Sequence, residues 1–161
     1  MSRVSGRLAA ELKQTRPFQS RRQEGAIALL RTADVVRRGL AAVVEPHGVT
    51  LQQYNVLRIL RGAGPEGLPT LEIADRMIES SPGITRLLDR LEEKKLVGRV
   101  HCPKDRRRVL CSVSPDGLRL LAALDEPVRK ADEMALGKLS RADVESLIRL
   151  LDAIREGHGG G

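Results

Sequence analysis

The spacing of apolar residues constrains this chain most, because it follows the period of an α-helix almost everywhere and departs from it once. Steps of three or four residues predict a long amphipathic helix over about 21–45, and the turn Pro46–Gly48 ends it. Thr50 and Gln53 then match the capping-box pattern, so a second helix is predicted to begin at Leu51. Its buried face is expected to hold Tyr54, Leu57 and Leu60.

Two further helices are expected after a glycine-rich loop. Thr70 is placed to cap a short helix over Leu71–Ile78. Ser80 or Ser81 is placed to cap the next helix, which is expected to run to about Lys95. One side of this second helix is polar, and its other side carries an apolar stripe made of Ile84, Leu87, Leu88 and Leu91.

The helical period gives way to β-branched runs after Lys95. The runs Leu96–Cys102 and Val109–Val113 flank the charged segment Pro103–Arg108, which predicts a β-hairpin with a charged tip. Ser114 and Ser140 are expected to cap the last two helices. The predicted fold is therefore mostly α with a small β-hairpin wing, a winged helix-turn-helix between helices that precede and follow it.

The helices that bracket the winged region have apolar faces wider than a small domain can cover. We expect them to pair with a second chain, although such helices also serve to complete the core of a monomer. The expected segments are an N-terminal extension at 1–20, a dimerisation helix at 21–48, a winged helix-turn-helix DNA-binding region at 49–114, C-terminal dimerisation helices at 115–156 and a flexible tail at 157–161.

The chain is basic, with 28 Lys and Arg residues against 21 Asp and Glu, a formal charge of +7. The stretch 99–108 alone carries five cationic side chains and one carboxylate, so over half of the net charge lies there. Single-strand binding modules stack bases on aromatic side chains, and Phe18 and Tyr54 are too few for that. A duplex of nucleic acid is the better expectation.

Geometry selects the residues that face the duplex. The helix that ends at about Lys95 is the one placed to enter a major groove, and we call it the recognition helix. From its polar face, Arg86 can present two donors to a guanine edge. Asp105 is expected to hold one arginine of the wing in position, since phosphate would repel its carboxylate. The candidate DNA-binding residues are Ser80, Ser81, Pro82, Thr85, Arg86, Asp89, Arg90, Lys104, Asp105, Arg106, Arg107 and Arg108.

The motifs also carry a family resemblance. The stretches Val49–Leu57 and Gly83–Val97, followed by Arg99, Asp105–Arg107 and Ser114–Gly117, resemble the MarR family of bacterial transcription regulators, a likeness that extends over about 21–156. The resemblance implies a homodimer that binds a pseudo-palindromic operator, most simply as a repressor, and releases it when a small molecule or an oxidant acts. It also implies that Asp105 and Arg107 correspond to the wing motif Asp-x-Arg of the family.

One residue departs from the family pattern. Lys95 stands where the family has a glycine in a left-handed cap, so it must adopt that conformation at some cost or extend the helix. The resemblance places an effector site between the dimerisation helices and the winged region, and His47 and Tyr54 are the nearest ring-bearing candidates. Tyr54 as a core residue and His47 as part of a turn are the simpler interpretations.

Other functions receive less support. Cys102 lies near cations that can raise thiolate reactivity, so a redox-sensing regulator is one alternative, but Cys111 is not opposite Cys102 in any register that closes the hairpin. A winged module that binds only protein is a second alternative, against which the charge of the wing argues. No nucleophile, metal or phosphate-loop motif points to an enzyme, and we expect no metal or other cofactor.

The location of the protein follows from the same sequence. Two cysteines are too few for a disulfide-stapled secreted scaffold. No apolar run approaches the roughly 20 residues that cross a bilayer. A cytoplasmic protein without membrane contact is expected.

Overall fold

The computed structural model describes residues 6–80 and 83–158. It is mostly helical with a small antiparallel sheet, whose β-hairpin lies between the fifth and sixth helices as the apolar spacing predicts. The helices are α1 (Arg7–Glu11), α2 (Arg21–Val44), α3 (Leu51–Ala63), α4 (Thr70–Asp75), α5 (Ile84–Glu93), α6 (Pro115–Leu136) and α7 (Arg141–Glu156). The strands are β1 (Leu68–Pro69), β2 (Val97–Cys102) and β3 (Asp105–Val113), and a 3-10 turn at Glu45–His47 separates α2 from α3.

The chain divides into two compact units, residues 1–39 and 40–161, with the boundary inside α2. The first unit holds α1, which the sequence did not predict, and Ala9 of this short helix is buried. The second unit holds the winged region and its core. No helix in the described part of the chain is long and apolar enough to cross a membrane.

The core of the second unit is built mainly from α3, α5 and the first half of α6. The expected inward face of α3 is confirmed, since Tyr54, Leu57 and Leu60 are all buried. The apolar stripe of α5 is confirmed as well, with Ile84, Leu88 and Leu91 buried and Leu87 partly covered. Other core members are Val44, Val56, Ile73, Val97, Cys111, Leu121, Leu124 and Val128.

Three predicted helix caps are confirmed. Thr50 accepts a hydrogen bond from the N–H of Gln53 at 3.2 Å, and the Gln53 side chain accepts one from the Thr50 N–H at 3.1 Å, which completes the capping box. Ser114 caps α6 through the N–H of Gly117 at 3.0 Å. Ser140 caps α7 with a second capping box.

The other two predicted caps fail. Thr70 is the first residue of α4, whose N-cap is Pro69, so this helix begins one residue earlier than predicted. The same helix ends at Asp75, three residues before the predicted end. In α5 the N-cap residue is Gly83, which has no side chain to accept a capping hydrogen bond, so Ser80 is not the N-cap of this helix. The predicted roles of Ser81 and Pro82 at this helix start lie outside the described residues.

The sheet has the order β1-β3-β2 and is antiparallel throughout. The sequence predicted the β2–β3 hairpin but not β1, because a strand of two residues carries no periodicity. The predicted six-residue tip is too long, since Cys102 already pairs with Asp105 around the turn Pro103–Lys104. The next pair is His101 with Val109, so Arg106, Arg107 and Arg108 form an irregular bulge on β3.

The recognition helix α5 ends in a left-handed residue, which is the first of the two outcomes that the sequence left open for Lys95. Lys95 has a φ of 60°. Its N–H donates to the Glu92 carbonyl at 2.8 Å, and the Leu96 N–H donates to the Leu91 carbonyl at 2.9 Å. These two bonds are a Schellman motif, in which glycine is the preferred residue at the left-handed position.

We predict that Lys95→Gly stabilises the protein by about 1 kcal/mol, because a side chain in the left-handed region is strained and glycine is not. Thermal unfolding should show a higher melting temperature. Glu93→Gly is the control, since a glycine inside the last helical turn should instead destabilise by about 1 kcal/mol. A lower melting temperature for Lys95→Gly would contradict the assignment of strain to this residue.

Candidate DNA-binding surface

The polar face of α5 lies open to solvent. Thr85, Arg86, Asp89 and Arg90 are exposed, whereas the leucines on the other side are buried in the core. Ser80, in the segment before the helix, is exposed too. The structure thus brings together the described residues of this face as the helical period predicts, while Ser81 and Pro82 lie outside the described part of the chain.

The segment before α5 is held by side chains of α3, a connection that sequence patterning missed. Asn55 accepts a hydrogen bond from the Ile78 N–H at 2.9 Å, and the Gln52 side-chain amide donates to Glu79 at 3.4 Å. Gln52 and Asn55 are polar residues of α3, a helix whose other side is apolar. The sequence contains a weak sign of this contact, since Asn55 is a polar residue between the two apolar residues Tyr54 and Val56.

Some cationic side chains of the wing form an ion pair within the chain, and others do not. Arg106 and Arg107 are exposed, and no described carboxylate forms an ion pair with either guanidinium. Arg108 is also exposed, but its guanidinium lies 3.6 Å from the Glu72 carboxylate of α4. Lys104, also exposed, lies in the turn itself. The charge available to a polyanion is therefore concentrated at the end of the hairpin.

Asp105 orders this part of the wing through the backbone. Its carboxylate accepts a hydrogen bond from the Arg107 N–H at 3.0 Å. On the neighbouring strand, His101 Nδ1 lies 3.0 Å from the Arg106 carbonyl oxygen. Asp105 was expected to hold an arginine, and it does so through the backbone N–H of Arg107. The guanidinium of Arg107 therefore remains available to an external anion.

Arg99, in contrast, pairs with carboxylates of α5. Its guanidinium lies 2.8 Å from Asp89 and 3.6 Å from Glu92, both on α5. Burial works against the charged form, but the hydrogen bond with Asp89 and the charges of Glu92 and Asp89 hold the pKa of Arg99 above its usual range. The pair compensates the carboxylate of Asp89 on the recognition face and ties β2 to α5.

The two effector candidates lie in different environments. Tyr54 is in the core, and burial raises the pKa of its hydroxyl. The Arg58 guanidinium lies 6.0 Å from the centre of the Tyr54 ring, and Arg61 forms a two-pronged ion pair with Asp125 at 2.9 and 3.0 Å, which joins α3 to α6. His47 is exposed in the 3-10 turn. The core interpretation of Tyr54 and the turn interpretation of His47 both agree with this placement.

Known proteins with a similar sequence and fold identify the family to which this architecture belongs. A model of the MarR family matches residues 49–109. A candidate transcriptional regulatory protein for the hcr operon of Thauera aromatica is 32% identical over 148 residues, which cover 92% of this chain and 81% of that protein. A MarR transcription factor from Planctomyces limnophilus, solved by crystallography, is 42% identical, covers 84% of this chain and 98% of its own, and superposes with a TM-score of 0.65.

The chain belongs to the MarR family of transcription regulators. Its winged helix-turn-helix also matches the MepR protein of S. aureus, crystallised as a complex with DNA, at a TM-score of 0.75 and 21% identity over 82% of this chain and 96% of that one. At that identity the match with MepR concerns the fold. The predicted fold class and family are thereby confirmed.

The cysteines of this MarR-family chain are far from equivalent. Cys111 is buried opposite Arg99 on β2, and burial raises the pKa of its thiol. Cys102 is half-buried and pairs with Asp105, so the expectation that the two cysteines are not opposite each other is confirmed. Among the described residues, no cluster of three His, Cys, Asp or Glu side chains could hold a metal ion.

We predict that a thiol reagent at neutral pH labels Cys102 in the native protein and reaches Cys111 only after unfolding. Burial excludes the reagent from Cys111, and its raised pKa lowers the fraction of reactive thiolate. Counting labelled thiols by mass spectrometry with and without denaturant measures this. Cys102→Ser should abolish native labelling, and equal labelling rates for both thiols would contradict the burial of Cys111.

Proposed function

We propose that this MarR-family regulator is a cytoplasmic homodimeric repressor that binds a pseudo-palindromic duplex operator through α5 and the wing and has no enzymatic activity. The observation that carries the proposal is the sorting of charge on the winged region. Asp89 on the recognition face is compensated by Arg99, whereas Arg106 and Arg107 are exposed without a carboxylate partner among the described residues. Such a surface suits the phosphates of a duplex.

Each element has a distinct role in this proposal. The exposed face of α5 enters the major groove, where Arg86 contacts a guanine and Thr85 contacts a phosphate or a thymine methyl. The wing lies against the neighbouring minor groove, where Arg107 is held by the bond of its N–H to Asp105. Supporting contacts to the phosphates are proposed for Ser80, Ser81, Arg90, Lys104, Arg106 and Arg108. Pro82, which has no hydrogen-bond donor, is proposed to contact the duplex through its apolar ring.

Exposed apolar residues support the dimer. None of the 16 residues of α7 is buried, although the helix carries an apolar stripe. In α2, only Val44 is buried among 24 residues. Apolar surface of this extent normally marks an interface between proteins. The exposed large apolar residues on the bracketing helices and their connection are Leu30, Val35, Leu118, Met134, Leu136, Leu139, Ile148, Leu150 and Ile154.

Release of DNA is proposed to follow the binding of a small molecule between the bracketing helices and the winged region. Tyr54 is the best-placed aromatic residue on α3, because Arg58 and the Arg61–Asp125 pair adjoin it. These charged neighbours favour a polar or anionic effector. His47 is proposed as a second, more exposed contact.

We expect the affinity for duplex DNA to fall steeply with salt, because each neutralised phosphate contributes about −0.9 to the slope of log affinity against log salt. Arg107→Ala should reduce that slope by about one, whereas Arg86→Ala should relax base preference at one position of each half-site by about 1–3 kcal/mol. Fluorescence anisotropy across a salt series and a set of operator variants measures both effects.

The matched control is Arg119→Ala, which removes an arginine from α6 that pairs with Asp116. It should leave the slope and the base preference unchanged. A wild-type affinity that does not depend on salt would contradict the DNA-binding surface. Equal weakening of Arg86→Ala on every sequence would make Arg86 a phosphate contact.

We expect light scattering to give a mass of twice the 17.7 kDa chain. Ile148→Glu on α7 should shift the mass toward a single chain, since it places a charge in the proposed interface without disturbing a buried residue. Leu71→Glu on α4 is the control, because Leu71 is exposed as well but lies outside the bracketing helices. A wild-type mass of one chain would contradict the dimer.

A further inference from the structure

The last turn of the recognition helix is bonded to a distant part of the chain. Lys94 is the C-cap residue of α5, and its ammonium donates to the Gly48 carbonyl at 2.5 Å and to the Gln53 side-chain oxygen at 3.2 Å. These acceptors lie 46 and 41 residues earlier in the sequence. A charged donor forms stronger hydrogen bonds than a neutral one, so this is a firm connection between the two segments.

Both acceptors belong to the junction at which α2 is followed by α3. Gly48 ends the 3-10 turn in the left-handed conformation, with a φ of 81°. Gln53 is the buried partner in the capping box at the start of α3, and its side-chain oxygen also accepts the Thr50 N–H. One ammonium group therefore joins the end of α5 to the turn that follows α2 and to the first turn of α3.

The position of Lys94 on the helix separates it from the recognition face. Leu87, Leu91 and Lys94 follow one another at spacings of four and three, so they lie along one side of α5. Leu91 is fully buried and Leu87 partly so. Lys94 is itself exposed, but it lies on the same side of the helix as these leucines, whereas Arg86 and Thr85 lie on the recognition face.

We propose that Lys94 is a positioning residue that fixes the orientation of the recognition helix relative to the α2–α3 junction. This inference rests on the proposed function, because it concerns how accurately α5 enters the major groove. Specific contacts require the helix to be held close to its binding geometry before DNA arrives. Without the bonds of Lys94, this end of α5 would be more mobile and would have to become ordered when DNA binds. That entropy cost weakens base-specific contacts more than the attraction to phosphates, because only base contacts need an exact orientation.

The test compares Lys94→Met with Lys95→Met, which removes the same charge one residue later from a side chain with no bonded partner among the described residues. The full-length variants are titrated with an operator duplex selected in vitro by the wild-type protein and with an unrelated duplex of equal length. Lys94→Met should weaken operator binding about tenfold, the order expected for loss of charged hydrogen bonds. Its affinity for the unrelated duplex and its salt slope should match those of the wild type.

Lys95→Met should keep the wild-type preference for the operator, and Lys94→Arg, which retains charged donors, should recover most of the lost affinity. If Lys94→Met does not fold, Lys94→Gln keeps one amide donor and should show a smaller loss of the same kind. Equal weakening on both duplexes with a slope reduced by about one would make Lys94 a phosphate contact and overturn the proposal. The same result for Lys94→Met and Lys95→Met would overturn it too.

These outcomes differ from a failure of the proposed function. If the wild-type protein selects no operator and binds duplex DNA without dependence on salt, the DNA-binding surface itself is wrong. If the wild type binds as expected and Lys94→Met retains full preference for the operator, only the positioning role is wrong.

Discussion

The burial of one side of α5 against the core is the interaction on which the rest of the structure depends. Leu88 and Leu91 are completely covered, and Ile84 nearly so. Covering a side chain of this size contributes about 1.5–3 kcal/mol, so the helix has one strongly preferred rotation about its axis. That rotation alone places Thr85 and Arg86 in solvent. The recognition face is therefore a consequence of core packing, and the polar contacts around it adjust an orientation that apolar burial has already selected.

Charge is then distributed between internal and external tasks. Arg99 and Lys94 are bonded to groups of the chain itself, Arg99 to the carboxylate of Asp89 and Lys94 to oxygens at the α2–α3 junction. Arg106 and Arg107 leave their charge at the wing, where Asp105 orders the backbone rather than neutralising a guanidinium. A count of basic residues treats these side chains alike. In their geometry only part of the positive charge is left without a partner in the chain, since Arg99 joins β2 of the wing to α5 and Lys94 joins α5 to the α2–α3 junction.

Local patterns predicted the elements that depend on local forces. The caps at Thr50, Ser114 and Ser140 were correct because each satisfies a backbone N–H three residues away, which needs no distant partner. Thr70 failed as a cap because the helix begins one residue earlier than predicted, at Thr70 itself, with Pro69 as the N-cap residue. β1 could not be predicted, since two residues form a strand only where β3 supplies the partner. The wing tip was predicted too long because the three arginines read as a loop, whereas pairing of Cys102 with Asp105 closes the turn earlier.

The sequence by itself determined the order of the helices from α2 to α7, the apolar and polar sides of α5, the hairpin and the excess of positive charge at the wing. Each of these follows from spacing or composition along one segment. Two outcomes were left open for Lys95, and the structure selects the left-handed conformation over a longer helix. The tertiary structure decided which polar residues find a partner from elsewhere in the chain. Asn55 with the Ile78 N–H, Arg99 with Asp89, and Lys94 with Gly48 join residues 10 to 46 positions apart. Such bonds form only after the core has brought the segments together, because a donor and an acceptor on separate segments carry no mark in the sequence that pairs them.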